Sequence, residues 1–158
     1  MCRLAAILAL ALASLLAGCE AADRDAGPAE SAGWVTRVVD GDTLVLDGDE
    51  RVRLIGIDTP ESVKPGTPVE CFAREASAEM KRLVEGRRVR LVLDAEKRDR
   101  YRRLLAYVYR GDLFVNEEMV RRGFASVATF PPNVRHVDLF LRAQREARAA
   151  GRGLWGAC

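Results

Sequence analysis

Apolar and polar positions alternate over Trp34–Val39, break at Asp40-Gly41-Asp42 and resume over Thr43–Leu46. A second break, Asp47-Gly48-Asp49, leads into Arg51–Ile57. Asp-Gly between alternating runs is a hairpin signal, because the turn needs backbone conformations that glycine adopts freely. The pattern predicts a three-stranded antiparallel meander. Thr59–Pro68 then collects three prolines and Gly66 and reads as an exposed loop. From Val69 to Glu85 the period becomes helical, with Phe72, Ala76, Met80, Leu83 and Val84 on one face and Gly86 as the stop. Arg87–Leu93 alternates again, with Val89, Leu91 and Leu93 inward, and a charged turn leads from Asp94 to a strand at Leu104–Tyr109. Asn116 is placed to cap a short helix that Gly123 ends, and a last helix covers Val137–Ala150 with Leu139, Phe140, Ala143 and Ala147 as its apolar stripe.

Five strands and three helices, strands first, predict an α+β chain with a mainly β core. The expected architecture is an OB-fold five-stranded barrel with three packed helices, a frequent host of oligonucleotide binding. Fold alone assigns no function.

The first residues follow another logic. Arg3 precedes an apolar or small-residue run, Leu4–Ala17, interrupted by Ser14 and ending Leu16-Ala17-Gly18-Cys19. The run is a secretory signal in type and too short for a stable span. Its end resembles the bacterial lipobox, in which cleavage precedes a lipidated cysteine. The resemblance implies a signal peptide over 1–18, lipidation of Cys19, and an exported lipoprotein anchored at a membrane on the periplasmic or extracellular face of the cell envelope. Residues 19–33 are rich in Ala, Gly, Ser, Pro and acids without periodicity and read as a flexible tether. The remaining 34–158 form one domain.

Composition narrows the chemistry. The 158 residues are 49% hydrophobic and 30% charged, which excludes a wholly disordered chain. The formal charge is only +2, so this is no histone-like polycation. Two basic and four acidic residues precede Trp34, so the domain carries a formal +4, which suits a polyanionic partner. One histidine, His136, and the lack of a Cys-x-x-Cys pair exclude zinc fingers and argue against a His-based zinc enzyme.

Candidate chemistry gathers at the ends of the expected strands: Asp42 after the first turn, Arg53 inside the third run, Asp58-Thr59-Pro60-Glu61 at its end, and Arg103 before the fifth strand. Taken singly, each has a plain reading: a hairpin cap, an outer-face arginine, a turn opener, a solvated glutamate, a member of a charge run. Together, Val39-Asp-Gly-Asp-Thr43, Arg53-Leu-Ile-Gly-Ile-Asp-Thr-Pro-Glu61, Asp99–Tyr107 and Val115–Gly123 resemble, in order and spacing, the staphylococcal nuclease (thermonuclease) family over about Trp34–Trp155. The resemblance implies calcium-dependent hydrolysis of DNA and RNA at the 5′ P–O bond, leaving 3′-phosphate ends. It implies Asp42, Asp58 and the Thr59 carbonyl as calcium ligands, and Arg53, Glu61 and Arg103 as the catalytic trio. These types suit the chemistry. Calcium takes six to eight oxygens, a carboxylate can deprotonate water, and guanidiniums can clamp phosphate oxygens bidentately. A non-catalytic nucleic-acid-binding lipoprotein is the alternative. No protein partner is expected, and the domain reads as a monomer.

The sequence also departs from the family pattern. Arg102 stands where the family has glycine before the catalytic arginine, and Thr129 and Pro131 align with two tyrosines that lie near the nucleotide. Loss of those rings predicts weaker base stacking, worth about 1–3 kcal/mol per base. The basic loop near Lys64 is shorter and richer in proline. Once the expected signal peptide with Cys2 is removed, Cys71 and Cys158 are the two thiols of the exported chain besides Cys19, and a disulfide between them is expected.

Overall fold

The computed structural model describes residues 29–62, 66 and 68–158. The signal segment, Cys19, most of the expected tether and Lys64 lie outside the described residues. Strands β1 (Glu30–Val38), β2 (Thr43–Leu46) and β3 (Arg51–Leu54) form the expected antiparallel meander. Then come β4 (Ile57–Asp58), α1 (Ala73–Val84), β5 (Arg88–Val92) and β6 (Leu104–Arg110). A short β7 (Leu113–Phe114) leads into α2 (Val115–Arg121), β8 (Ser126–Val127), α3 (Val137–Ala149) and a terminal turn of helix, α4 (Leu154–Ala157).

The sheet runs β3-β2-β1-β5-β6, and parallel pairing of β3 with β6 (Val52↔Leu104, Arg53↔Leu105, Leu54↔Ala106) closes it into a five-stranded barrel. Closure leaves the barrel without exposed strand edges. One long strand serves two neighbours. Glu30–Trp34 pair with β5, the later part of β1 pairs with β2, and the register shifts between Val35 and Arg37, where an irregularity lets the strand bend. Leu44, Val52, Leu54, Leu91 and Val108 are buried in the centre. Three helices cover it with Met80, Leu83 and Val84 of α1, Met119 and Val120 of α2, and Phe140, Ala143 and Ala147 of α3.

Four boundaries differ from the sequence expectation. The strand begins at Glu30, four residues inside the expected tether, because Glu30–Gly33 need only their backbones to pair with β5. The third strand ends at Leu54 rather than Ile57, since Gly56 turns at φ 80° and Ile57–Asp58 pair with β8 instead. A Cβ on Gly56 would stand 2.5 Å from the Phe140 ring, so that turn is also a packing contact. Helix α1 starts at Ala73, not Val69, because Phe72 sits at φ 69° and stacks on Phe124 with centroids 5.4 Å apart. Asn116 is no cap. It is buried one residue inside α2, accepting the Val108 N–H (2.9 Å) and donating to the Ile55 carbonyl (2.9 Å), so it ties β6 to the turn after β3. Cys71 and Cys158 are bonded, S–S 2.07 Å, which joins the approach to α1 to the chain's last residue.

Candidate active site

Three backbone pairings bring the polar residues together. Asp42 ends the first hairpin turn, directly before β2, and β2 pairs with β3, which carries Arg53. Parallel pairing of β3 with β6 sets Leu104 opposite Val52, so Arg103 enters from the next strand. The turn at Gly56 folds β4 back, and Asp58 and Thr59 follow. A Cβ on Gly41 would lie 2.7 Å from Thr59 Cγ2, so glycine there lets the Thr59 segment close over Asp42. The result is a polar cavity of about 210 Å³ walled by Asp40, Asp42, Arg53, Asp58, Glu61 and Arg103, with Thr59 and Pro60. All six residues proposed from the sequence for catalysis and metal binding line it.

Asp42 is 5% exposed and heavily engaged. Its Oδ2 accepts the Thr59 N–H (3.0 Å) and Thr59 Oγ1 (3.3 Å), and its Oδ1 accepts the Thr43 hydroxyl (3.0 Å). Arg53 bridges the two acids. Nη1 lies 3.0 Å from Asp42 Oδ2, and Nη2 lies 2.8 Å from Asp58 Oδ1. Nη1 also donates to the Ile57 carbonyl (2.9 Å), which fixes the guanidinium against the turn. Arg53 is therefore no outer-face arginine. Arg103 is held by Asp99 through Nε (2.7 Å), with Nη1 3.5 Å from Thr43 Oγ1. Glu61 hangs from a reciprocal pair with the approach to α1: its N–H donates to Glu70 Oε2 (2.9 Å), and the Glu70 N–H donates to the Glu61 carbonyl (3.0 Å).

Charge in the cavity is unbalanced: four carboxylates, Asp40, Asp42, Asp58 and Glu61, face two guanidiniums. The Asp42 acid is pushed up to about 7, chiefly by burial; Arg53 opposes the rise and Asp40 adds to it. An oxygen-only donor set with surplus negative charge fits a hard cation such as calcium. Among the described residues no group of three or more His, Cys, Asp or Glu side chains stands ready to hold a metal unaided. An ion at Asp42 and Asp58 would need carbonyl, water or substrate oxygens to complete its shell.

Arg102 sits outside this cavity, exposed, with φ 66°. That left-handed conformation is one that glycine adopts freely, which suits the glycine that the resemblance implies at this place. Three residues were missed by the sequence reading. Asp40 accepts the Asp42 N–H (3.1 Å) and faces the cavity; it lay in the Asp-Gly-Asp motif but read only as turn chemistry. Tyr101 (64% exposed) and Phe130 (71% exposed) line an adjoining cavity of about 460 Å³ that shares Arg53 and Arg103 as walls. Phe130, the residue between Thr129 and Pro131, thus places an exposed aromatic ring at this wall. A lone aromatic between Thr129 and two prolines was the available signal.

Comparison with known proteins agrees with this geometry. Residues 51–157 match the family model described as staphylococcal nuclease homologue. A thermonuclease of Staphylococcus intermedius is 45% identical over 124 residues, covering 77% of this chain and 74% of that protein. A thermonuclease of Staphylococcus hyicus is 38% identical over 143 residues, covering 83% and 85%. The SPbeta prophage-derived endonuclease of Bacillus subtilis is 38% identical over 124 residues, covering 75% of this chain and 42% of that protein. With a closed five-stranded barrel, three covering helices and a match over most of its length, the chain belongs to the staphylococcal nuclease family.

Proposed function

We propose that this nuclease is calcium-dependent and hydrolyses DNA and RNA at the 5′ P–O bond, leaving 3′-phosphate and 5′-hydroxyl ends. The observation that carries the reading is the cavity in which surplus carboxylates and two arginines meet. Asp42, Asp58 and the Thr59 carbonyl would hold the ion. Bound calcium supplies Lewis-acid polarisation of a phosphate oxygen. Glu61 takes a proton from water, whose oxygen attacks phosphorus; the P–O5′ bond breaks, the leaving 5′ oxygen takes a proton from solvent water to become a hydroxyl, and Glu61 gives its proton back to solvent. Arg53 and Arg103 donate to phosphate oxygens as negative charge builds. Tyr101 and Phe130 offer faces on which bases stack.

Export as a lipoprotein anchored through Cys19, acting as a monomer outside the cytoplasm, belongs to the same proposal. The short apolar leader ending in a lipobox-like sequence supports it, as does a disulfide suited to an oxidising compartment.

The test of mechanism is Glu61→Gln. Removing the base is expected to lower kcat by roughly 10²–10⁴ with a smaller change in KM, measured on a labelled oligonucleotide whose product ends are typed. An unchanged kcat, or 5′-phosphate ends from the parent, removes the mechanism.

A further inference from the structure

Helices α2 and α3 carry their arginines differently. On α2, Arg121 lies 2.9 Å from Glu118 Oε2, and the adjoining Arg122 pairs with Glu79 of α1. On α3, Arg142, Arg145 and Arg148 have no carboxylate within 4.0 Å among the described residues, although Asp138 and Glu146 lie on the same helix. The three are exposed and spaced i, i+3, i+6. At 100° per residue Arg145 stands almost opposite the buried stripe of Phe140, Ala143 and Ala147, flanked by the other two. Arg148 lies over the Trp155 ring at 4.1 Å. Like charges at this spacing cost helix stability, and the fold returns no ion pair for them.

The helix is close to the active cavity. Gln144 of α3 accepts the Val127 N–H of β8 (2.7 Å), and β8 pairs with β4, setting Ser126 beside Asp58. One strand spacing and one helix packing distance, on the order of 15 Å, separate β4 from the α3 axis. Counted around the helix from Gln144, Arg148 lies about 40°, Arg145 about 100° and Arg142 about 160° away, so only a polymeric substrate that runs past the cavity and around α3 can meet them.

We infer that Arg142, Arg145 and Arg148 form an exosite for the phosphates of polymeric nucleic acid, outside the catalytic cavity. The occupant follows from charge complementarity. Three guanidiniums without carboxylate partners, rising about 4.5 Å and turning about 60° from one to the next, present a multivalent positive face to a polyanion with one charge per about 3.4 Å of each strand. The inference rests on the nuclease reading and makes a separate claim: the face raises affinity for long substrates and leaves the chemical step alone.

The experiment uses the full chain and two variants, Arg142→Gln/Arg145→Gln and the same pair with Arg148→Gln. The double variant leaves the Trp155 contact in place, and thermal unfolding checks that both fold. Affinity for long DNA is measured in EDTA by anisotropy across a salt series, and hydrolysis of long DNA and of a dinucleotide is measured in calcium. The expected result is a several-fold loss of long-DNA affinity in the double variant and a larger loss in the triple. The salt slope should fall by about 0.9 for each contact removed, and dinucleotide turnover should stay the same. Unchanged long-DNA affinity and KM overturns the exosite. So does loss of binding to phosphatidylglycerol vesicles with long-DNA binding intact, which would make the face a membrane surface. A parent that binds DNA through this face but hydrolyses neither substrate overturns the nuclease reading and leaves the exosite standing.

Discussion

The two sides of the catalytic cavity are built by different means. Asp42, Arg53 and Arg103 stand on or beside barrel strands, and paired backbones set their positions. Arg53 alone meets Asp42, Asp58 and the Ile57 carbonyl. Glu61 stands on the segment after β4, outside the barrel ladder, and its backbone is fixed by the exchange with Glu70. Glu70 in turn precedes Cys71, whose bond to Cys158 ties that segment to the C-terminus. The groups proposed to hold phosphate, Arg53 and Arg103, are therefore preorganised by barrel strands, whereas Glu61, the proposed base, sits on a segment held by a covalent strap. Precision that strands supply on one side is supplied on the other by a cross-link and two hydrogen bonds.

Cutting the strap gives the largest expected effect. The Cys71–Cys158 bond spans a sequence separation of 87. In the chain-entropy view, closing a loop of that length stabilises by up to about 4–5 kcal/mol. Cys71→Ser with Cys158→Ser should lower the unfolding free energy by up to that amount in urea titrations. Where the variant is still folded, kcat should fall while calcium affinity holds. Equal loss of both would mean that the two sides are not separately built.

On the strand side, Arg103→Lys should cut kcat by about 10²–10³, because a point charge cannot replace a bidentate clamp. Arg102→Lys should do little, since Arg102 lies outside the cavity. Steady-state kinetics on one oligonucleotide compares them, and a crippled Arg102→Lys with a near-normal Arg103→Lys would reverse the assignment. The smallest effect is at the same turn. A left-handed L-residue costs about 1–2 kcal/mol, part of which glycine gives back in chain entropy. Arg102→Gly should therefore raise stability by up to about 1 kcal/mol, read by calorimetry, with kcat retained.

Much of this was legible in the sequence because side chains carried the signal. Alternation at Thr43–Leu46 and Leu104–Tyr109 marked strands, and Asp-Gly marked the turns. Parallel closure of β3 on β6 left no local trace, since it pairs residues some fifty positions apart. Glu30–Gly33 were read as tether because a strand held by its backbone need not show apolar alternation. Asn116 was misread because a polar residue before a helical run signals a cap, whereas here burial is offset by two hydrogen bonds to distant backbone. Aligned positions 129 and 131 pointed to a missing aromatic surface, and only the fold revealed Phe130 beside Tyr101 at the cavity wall.

The central claim is that the Asp42–Asp58 cavity makes hydrolysis depend on calcium. Plasmid nicking by the parent and by Asp42→Asn, each in calcium and in EDTA, tests it most directly. The expected result is nicking by the parent in calcium alone and none above background by the variant, with both folded by circular dichroism. Nicking by the parent in EDTA, or equal calcium stimulation of the two proteins, would contradict it.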